Sequence, residues 1–511
     1  MSFKQTISTT LKSCAWLVLL STFGWASSAA AFCGFYVAGG ESTLFNDATQ
    51  VAMMRSGTTT VLSMQNNYQG PPENFAMVIP VPVVLQETSV KTLPVSLFQK
   101  MDQLSAPRLV EYWEQDPCYV QPPDEGRDML NSATMDSAEA DSGGGGGVQV
   151  EAEFSVGEYD IVVLSTNDAT ALDTWLQDND YSIPEGASPY FEPYVQEGMY
   201  FFVAKVDITK VTMNGEQAVL SPIRFHYDAE TFSLPVRLGL INSQGEQDLI
   251  VYTLGQGQRY ELANRENVFI PTNIEVVNDV REDFGGFYRT LFDATLEYSP
   301  NAAVTEYSWD ASTCDPCPGP TLDSQDLLTL GADVATDGQL WGWTLTRLHM
   351  RYSAETLGDD LVFAEAGPVV GGRELYNDSG ELEETASFAN FNNFQGRYII
   401  RHRWNLPITC ELPVFGRWGG PPGGESSSDT QTSQSPNTTG ESDAASTGSY
   451  GLGGASEALS DLVRDDVPEI GVASSSGCAC SSTSSGAAGF LFIAAFLMGI
   501  WCSFIRRRLF S

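Results

Sequence analysis

The sequence predicts an α+β fold, predominantly antiparallel β, with a strand-helix-helix-strand unit and a C-terminal transmembrane helix. Three observations carry this. Short apolar runs bounded by turn residues recur through much of the chain. In one stretch of about fifty residues, two segments of helical periodicity stand between two strand-like runs. Near the end, residues 486–505 hold no charged side chain, and Arg506, Arg507 and Arg508 follow at once.

The elements follow in order. Lys4 and Lys12 precede an apolar stretch at 14–23, and Ala29, Ala30 and Ala31 offer a small-residue cleavage site. Residues 1–31 therefore read as an export signal with the mature chain starting at Phe32, the apolar run being too short to span about 30 Å of hydrocarbon. The run TQVAMMRSGTTTVLSMQNNY predicts two strands around a turn at Ser56-Gly57. NFAMVIPVPVVL predicts another, which Pro80 and Pro82 confine to an edge or a bulge. Leu97, Met101 and Leu104 repeat at helical spacing after Pro94, and Pro107 stops the pattern. Residues 119–147 turn polar and end in five glycines, so they read as a flexible insertion that cannot bury enough surface to offset its ordering entropy.

Beyond the insertion, YDIVVL reads as a buried strand, and NDATALDTWL as a helix capped at Asn167 or Asp168 with Ala169, Leu172, Trp175 and Leu176 on one stripe. A second helix starts with Ser188 as cap and Pro189 in the first helical position, ends near Gly198, and MYFFVAKVDI returns as a strand. From Ile223 to Trp418 the text is mainly strand-like, with turns at Asn214-Gly215, Gln244-Gly245 and Asp337-Gly338. The body thus spans 32–418. Residues 419–477 dissolve into Gly, Ser, Thr, Asp and Glu, an acidic stalk able to hold the body tens of ångströms from a bilayer. Residues 478–511 hold Cys478, Cys480, the apolar run and the arginines. The basic cluster stays cytoplasmic, so the helix runs from outside to inside and the body lies outside.

The formal charge is -39, from 65 Asp plus Glu against 26 Lys plus Arg, which excludes nucleic acid as a partner over most of the surface. Size sets no limit, because 42% of 511 residues are hydrophobic. Among nine cysteines, Cys33, Cys118, Cys314, Cys317 and Cys410 fall in the body and are disulfide candidates in an exported chain. The favoured pairing joins Cys410 to Cys314 or Cys317, with Cys33 to Cys118 as a second. The C-x-x-C at Cys314 and Cys317 admits structural, metal and redox readings, and Pro318 and Pro320 weigh against the helix a redox motif needs. A zinc site wants a second C-x-x-C or a spaced His pair, which the chain lacks. Histidine occurs only at 226, 349 and 402, and no hydrolase, phosphate-loop, metalloprotease or EF-hand motif is present, so no cofactor or metal is expected. Carboxylates crowd at QDNDYS and at GDD, but neither forms a calcium ligand series.

Basic residues concentrate on two strand-like runs. In WTLTRLHMRY, alternation puts Trp343, Leu345, Arg347, His349 and Arg351 on one face. In GRYIIRHRW, Arg397, Arg401 and Arg403 share one face while Tyr398, Ile400, His402 and Trp404 share the other. These arginines either form a site for a carboxylate or phosphate, which guanidinium groups bind in bidentate fashion, or neutralise surplus acids inside the fold.

The stretches CGFYVAG, NDATQVAMMRSGTTTVLSMQNNYQGPPENFAMVIPVPVVL, LVEYWEQDPC, LTRLHMRY and LGDDLVFAEA resemble the bacterial domain-of-unknown-function family 2330 over most of 32–418. That resemblance implies a grouping and no activity. Cys478 or Cys480, the apolar run and the arginines resemble the myxobacterial C-terminal sorting domain. This second resemblance implies recognition by an envelope sorting protease, cleavage near the cysteine and delivery to the cell surface; a permanent single-pass anchor is the alternative. The function expected is a non-enzymatic binding or structural ectodomain held at the envelope, its partner the membrane through the C-terminal helix. A surface hydrolase acting through carboxylates and a thiol-based envelope factor using Cys314 and Cys317 are the alternatives.

Overall fold

The computed structural model describes residues 35–37, 45–46, 49–65, 68–69, 76–118, 149–179, 187–207, 209–214, 217–242, 245–315, 317–336, 338–373 and 382–421. The expected leader, the insertion at 119–147, the stalk beyond Pro421 and the apolar run at 486–505 lie outside them, as do Cys33, Cys478 and Cys480. Among the described residues no helix is long and apolar enough to cross a membrane.

The described body is mixed and sheet-rich with few helices. Its centre is an eleven-stranded sheet. Thr49–Ser56 and Thr59–Gln65 form a hairpin in it, and the turn needs Gly57, whose φ of 56° lies in the left-handed region. Thr49–Ser56 also runs parallel to Gln247–Gln256, which pairs antiparallel with Trp343–Tyr352, itself antiparallel to Ala303–Asp310. Most ladders are antiparallel, with parallel pairings where long crossovers return the chain.

Both faces of this sheet are covered, which is why its inner strands read as nearly continuous apolar runs. Val51, Met53, Leu249, Val251, Leu348 and Met350 face a second, five-stranded sheet made of Phe35–Val37, Ala76–Val81, Tyr200–Val206, Tyr159–Ser165 and Gln149–Val156. Ala52, Met54, Tyr252, Leu254 and Leu345 face the Val95–Ser105 helix, whose Leu97, Phe98, Met101 and Leu104 are buried. Each buried Val, Leu, Met or Phe among them contributes about 1.5–3 kcal/mol on burial.

The strand-helix-helix-strand stretch is Tyr159–Ser165, Ala169–Asp178, Ser188–Gln196 and Tyr200–Val206, and its two strands pair antiparallel. Leu172, Leu176, Phe191 and Tyr194 pack on the outer face of the five-stranded sheet against Val78, Leu164, Phe201 and Val203. Asp168 caps the first helix by accepting from the Thr170 amide at 2.8 Å. Ser188 does not cap the second. It stands inside the helix, after Ala187, and its hydroxyl donates instead to Asp173 at 2.7 Å, tying the two helices together.

Two other expectations are corrected. Ala76–Val81 is an inner strand, between Phe35–Val37 and Tyr200–Val206; Phe35–Val37 reaches only Ala76–Val78, so Pro80 has a ladder neighbour on one side alone. Within the region read as strands, Phe284–Tyr298 is a helix of 15 residues. Asp283 caps it, accepting from the Gly286 amide at 2.9 Å, and Phe287, Leu291, Phe292 and Ala294 are buried. A short helical stretch at 324–335 lies tight on the hairpin: Gly331, φ 142°, leaves no room for a Cβ, which would stand 2.8 Å from Val61.

A four-stranded sheet closes the described chain, in the order Ile274–Glu275, Arg397–His402, Arg108–Glu114 and Trp418–Gly419. The last strand is only two residues long.

Candidate functional site

The face of Trp343–Tyr352 expected to carry Trp343, Leu345, Arg347, His349 and Arg351 points at the helices. Its first half is apolar, under Val95–Ser105. Its second half is charged and meets the Phe284–Tyr298 helix, because Phe292 stacks on His349 with centroids 3.9 Å apart and Asp293 accepts from Arg351 at 2.6 Å.

Glu306 is the centre of this cluster. The Ala303–Asp310 ladder slips between Thr305 and Tyr307, a bulge with Glu306 as its extra residue, so that both Glu306 and Tyr307 face the helix side. The Glu306 carboxylate is fully buried and accepts from Arg347 Nε at 2.5 Å; it also bonds His349 Nδ1 at 2.7 Å and accepts from the Tyr288 hydroxyl. Arg347 donates further to Asp102 at 2.5 Å and to the Tyr252 hydroxyl at 3.0 Å. Asp248 accepts from Arg351 Nε at 2.8 Å and lies 3.5 Å from His349 Nε2.

Electrostatics fix the protonation of this pair. Burial alone would push the Glu306 carboxyl up, but the charges of His349 and Arg347 and the hydrogen bonds it accepts outweigh it and hold the group down at about 2. Burial opposes charge on His349 too, yet Glu306 and Asp248 raise it to about 9. Both are therefore ionised across the neutral range. A general base needs a pKa near the working pH, and neither member of this pair has one.

The second arginine set lies in the four-stranded sheet. Arg397 donates to Asn273 at 3.0 Å and to the Tyr112 hydroxyl at 3.2 Å. Arg401 reaches Glu275 at 3.3 Å, and Arg401 and Arg403 both stand over the Trp418 ring, at 5.0 and 5.7 Å from its centroid. On the opposite face His402 stacks on Trp113 and pairs with Glu111 at 2.8 Å. Each set is tied to acids or polar groups of its own surroundings. Replacing Arg401 with Ala is expected to cost about 2–3 kcal/mol of stability, since it removes a buried cation paired with the buried Glu275. Melting and phosphate binding measured together separate the two readings, and weakened phosphate binding at unchanged melting would favour an anion site.

The cysteines pair differently from expectation. Cys118 is bonded to Cys410, with Cα atoms 5.5 Å apart, and Cys314 to Cys317, at 4.9 Å. Cys410 therefore joins neither Cys314 nor Cys317. The reason is topological: Arg108–Glu114 lies beside both Arg397–His402 and Trp418–Gly419, which brings residue 118 next to the segment holding Cys410. Cys317 is exposed and Cys314 half-buried.

A cleft of about 650 Å³ opens elsewhere, where the ends of Ala76–Val81 and Ile223–Asp228 meet Asp359, Asp360 and the start of the Leu361–Ala366 strand. Its lining combines Pro80, Pro82, Val83 and Met199 with Glu197, Asp228, Glu230, Asp359 and Asp360. Asp360 is fully engaged, accepting from the Tyr194 hydroxyl at 2.8 Å, the Val236 amide at 2.7 Å and Arg237 Nη2 at 2.9 Å. Among the described residues no group of three or more His, Cys, Asp or Glu side chains is placed to hold a metal ion, the GDD carboxylates included.

Sequence alternation assigned the arginine faces, but Glu306, Asp102, Asp248 and Tyr288 were not singled out. One signal for Glu306 was available: an acid inside the otherwise apolar AVTEYSW run needs a buried cation. A family model described as an uncharacterized protein conserved in bacteria (DUF2330) matches residues 27–364. No curated protein and no solved structure matches the chain.

Proposed function

The chain belongs to that bacterial family of uncharacterised proteins, and from this premise we propose an exported cell-envelope protein whose body is a non-enzymatic binding ectodomain. Residues 1–31 direct export, the acidic stalk at 419–477 spaces the body, and residues 478–511 hold it in the membrane or hand it to a sorting protease for surface delivery. The observation that carries the reading of the body is the locked state of its buried acid–base groups. Glu306 and His349 are paired and ionised, so they serve the fold, while the cleft beside Pro80 is open to a ligand. Two disulfides support an oxidising compartment, since such bonds persist outside the cytosol.

Fractionation of the native host tests the location. The expected result is a mature chain starting at Phe32 in the envelope fraction and open to protease on intact cells. A surface peptide containing Arg506–Arg508 would mean a permanent anchor, and its loss would mean processing. Full-length protein in the cytosol with its leader attached overturns the proposal.

A further inference from the structure

The cleft beside Pro80 carries more than an acidic rim. Tyr227 lines it and is only 8% exposed, and its hydroxyl makes no hydrogen bond with the described residues. A phenol oxygen at the wall of a cleft with no protein partner is open to a ligand atom. Burial pushes this phenol up to about 12, against the opposing charge of Arg55, so it stays neutral and its oxygen can accept a hydrogen bond. The side chains of Glu230 and Asp359 likewise make no ion pair or hydrogen bond with described residues, whereas Asp228 accepts from Thr59 at 2.7 Å and Asp360 is held by Arg237. Two carboxylates and a phenol oxygen, all acceptors, thus line the same cleft, and Arg237, which also lines it, is already held by Asp360. Pro80, Pro82, Val83 and Met199 give that space an apolar side.

Acceptors of negative or neutral charge beside an apolar wall select a ligand with several N–H donors, a positive charge and an aliphatic body. A bare divalent cation fits poorly, because three ligating side chains do not converge. We propose that this cleft binds a primary alkylammonium group on an aliphatic stem, the ammonium between Glu230, Asp359 and the Tyr227 hydroxyl and the stem along the prolines. Such a group comes either from a free alkyl diamine or from the lysine side chain of a peptide. The inference rests on reading the body as a binding ectodomain, but is independent of where the cell puts it.

Calorimetric titration of the full chain in detergent, at physiological salt, tests it with four probes: 1,5-diaminopentane, a lysine-containing tripeptide, the same peptide with norleucine, and 1,5-pentanediol. At least one amine is expected to bind while the norleucine peptide and the diol do not, and the tighter amine identifies the source. The double variant Glu230→Gln, Asp359→Asn should weaken that binding about tenfold or more, and Tyr227→Phe about three- to tenfold, by loss of hydrogen bonds to a charged group. Glu230 and Asp359 are exposed and unpaired, so an unchanged melting curve is expected for the double variant. Equal binding of amine and diol, or amine binding that the double variant leaves unchanged, overturns the proposal; the second result would mean diffuse attraction to the acidic coat. Because the titration uses purified protein, its failure is distinct from a failure of the envelope location.

Discussion

Replacing Glu306 with Gln is expected to destabilise the body by about 3–5 kcal/mol, read as a lower urea midpoint at an unchanged slope. The amide has nearly the same shape but no charge. It leaves Arg347 and His349 buried with one anion fewer, and its NH2 group faces donors where the carboxylate accepted three hydrogen bonds. A pH signature accompanies the loss. The His349 pKa is raised from 6.5 to about 9 in the folded state, so its contribution is complete below about 6.5 and disappears as pH rises through about 9. The Glu306 pKa is lowered from 4.5 to about 2, so its contribution is present above about 4.5 and disappears as pH falls through about 2. Wild-type stability should therefore fall between pH 6.5 and 9, and the Glu306→Gln variant should lose most of that alkaline slope. A double-mutant cycle with Arg347→Met should return a coupling of about 2 kcal/mol or more. A cost below about 1 kcal/mol with the slope retained would show that the cluster does not hold the fold.

What could be read from the chain depended on how locally each feature is determined. Alternation has a period of two residues, so Arg347, His349 and Arg351 were assigned to the correct common face without knowledge of their partners. The Val95–Ser105 and Ala169–Asp178 helices were legible for the same reason, through spacing and an Asp168 cap. The Phe284–Tyr298 helix was hidden by composition: Gly285 and Gly286 in its first turn and five aromatic side chains disfavour a helix locally, and its contacts with Ile270, Val304 and Tyr398 outweigh that preference. Partners far apart in the chain were not legible at all. Asp102 meets Arg347 across 245 residues, and Glu306 reaches it only through a ladder slip that no local pattern announces. The cleft is equally non-local, since Pro80, Tyr227 and Asp359 are gathered by sheet order. The GDD run places Asp359 and Asp360 in that cleft, but among the described residues no three acids there are placed to hold a metal ion.

Converting both Cys118 and Cys410 to Ser is expected to cost about 3–5 kcal/mol, near the upper end for a single crosslink. The bond closes a loop with a sequence separation of 292, so it restricts the unfolded chain far more than the Cys314–Cys317 bond, whose separation of 3 closes a loop worth only about 1–2 kcal/mol. Its native-state role is also concentrated. Between Arg397–His402 and Trp418–Gly419, the chain exposes Leu406, Leu412, Val414 and Phe415, and among the described strands Trp418–Gly419 pairs with Arg108–Glu114 alone. Little apolar burial holds this segment, so in the double-Ser variant it should open before the central sheet does. Hydrogen exchange should then show faster exchange at 405–419 with Thr49–Ser56 and Gln247–Gln256 unchanged. Graded reduction of the wild type separates the two bonds again. Exposed Cys317 should be labelled first, with little loss of stability, whereas opening Cys118–Cys410 should coincide with the loss at 405–419. If the double-Ser variant stays within about 1 kcal/mol of wild type, the bond does not brace the fold, and an oxidising compartment is not needed to account for its stability.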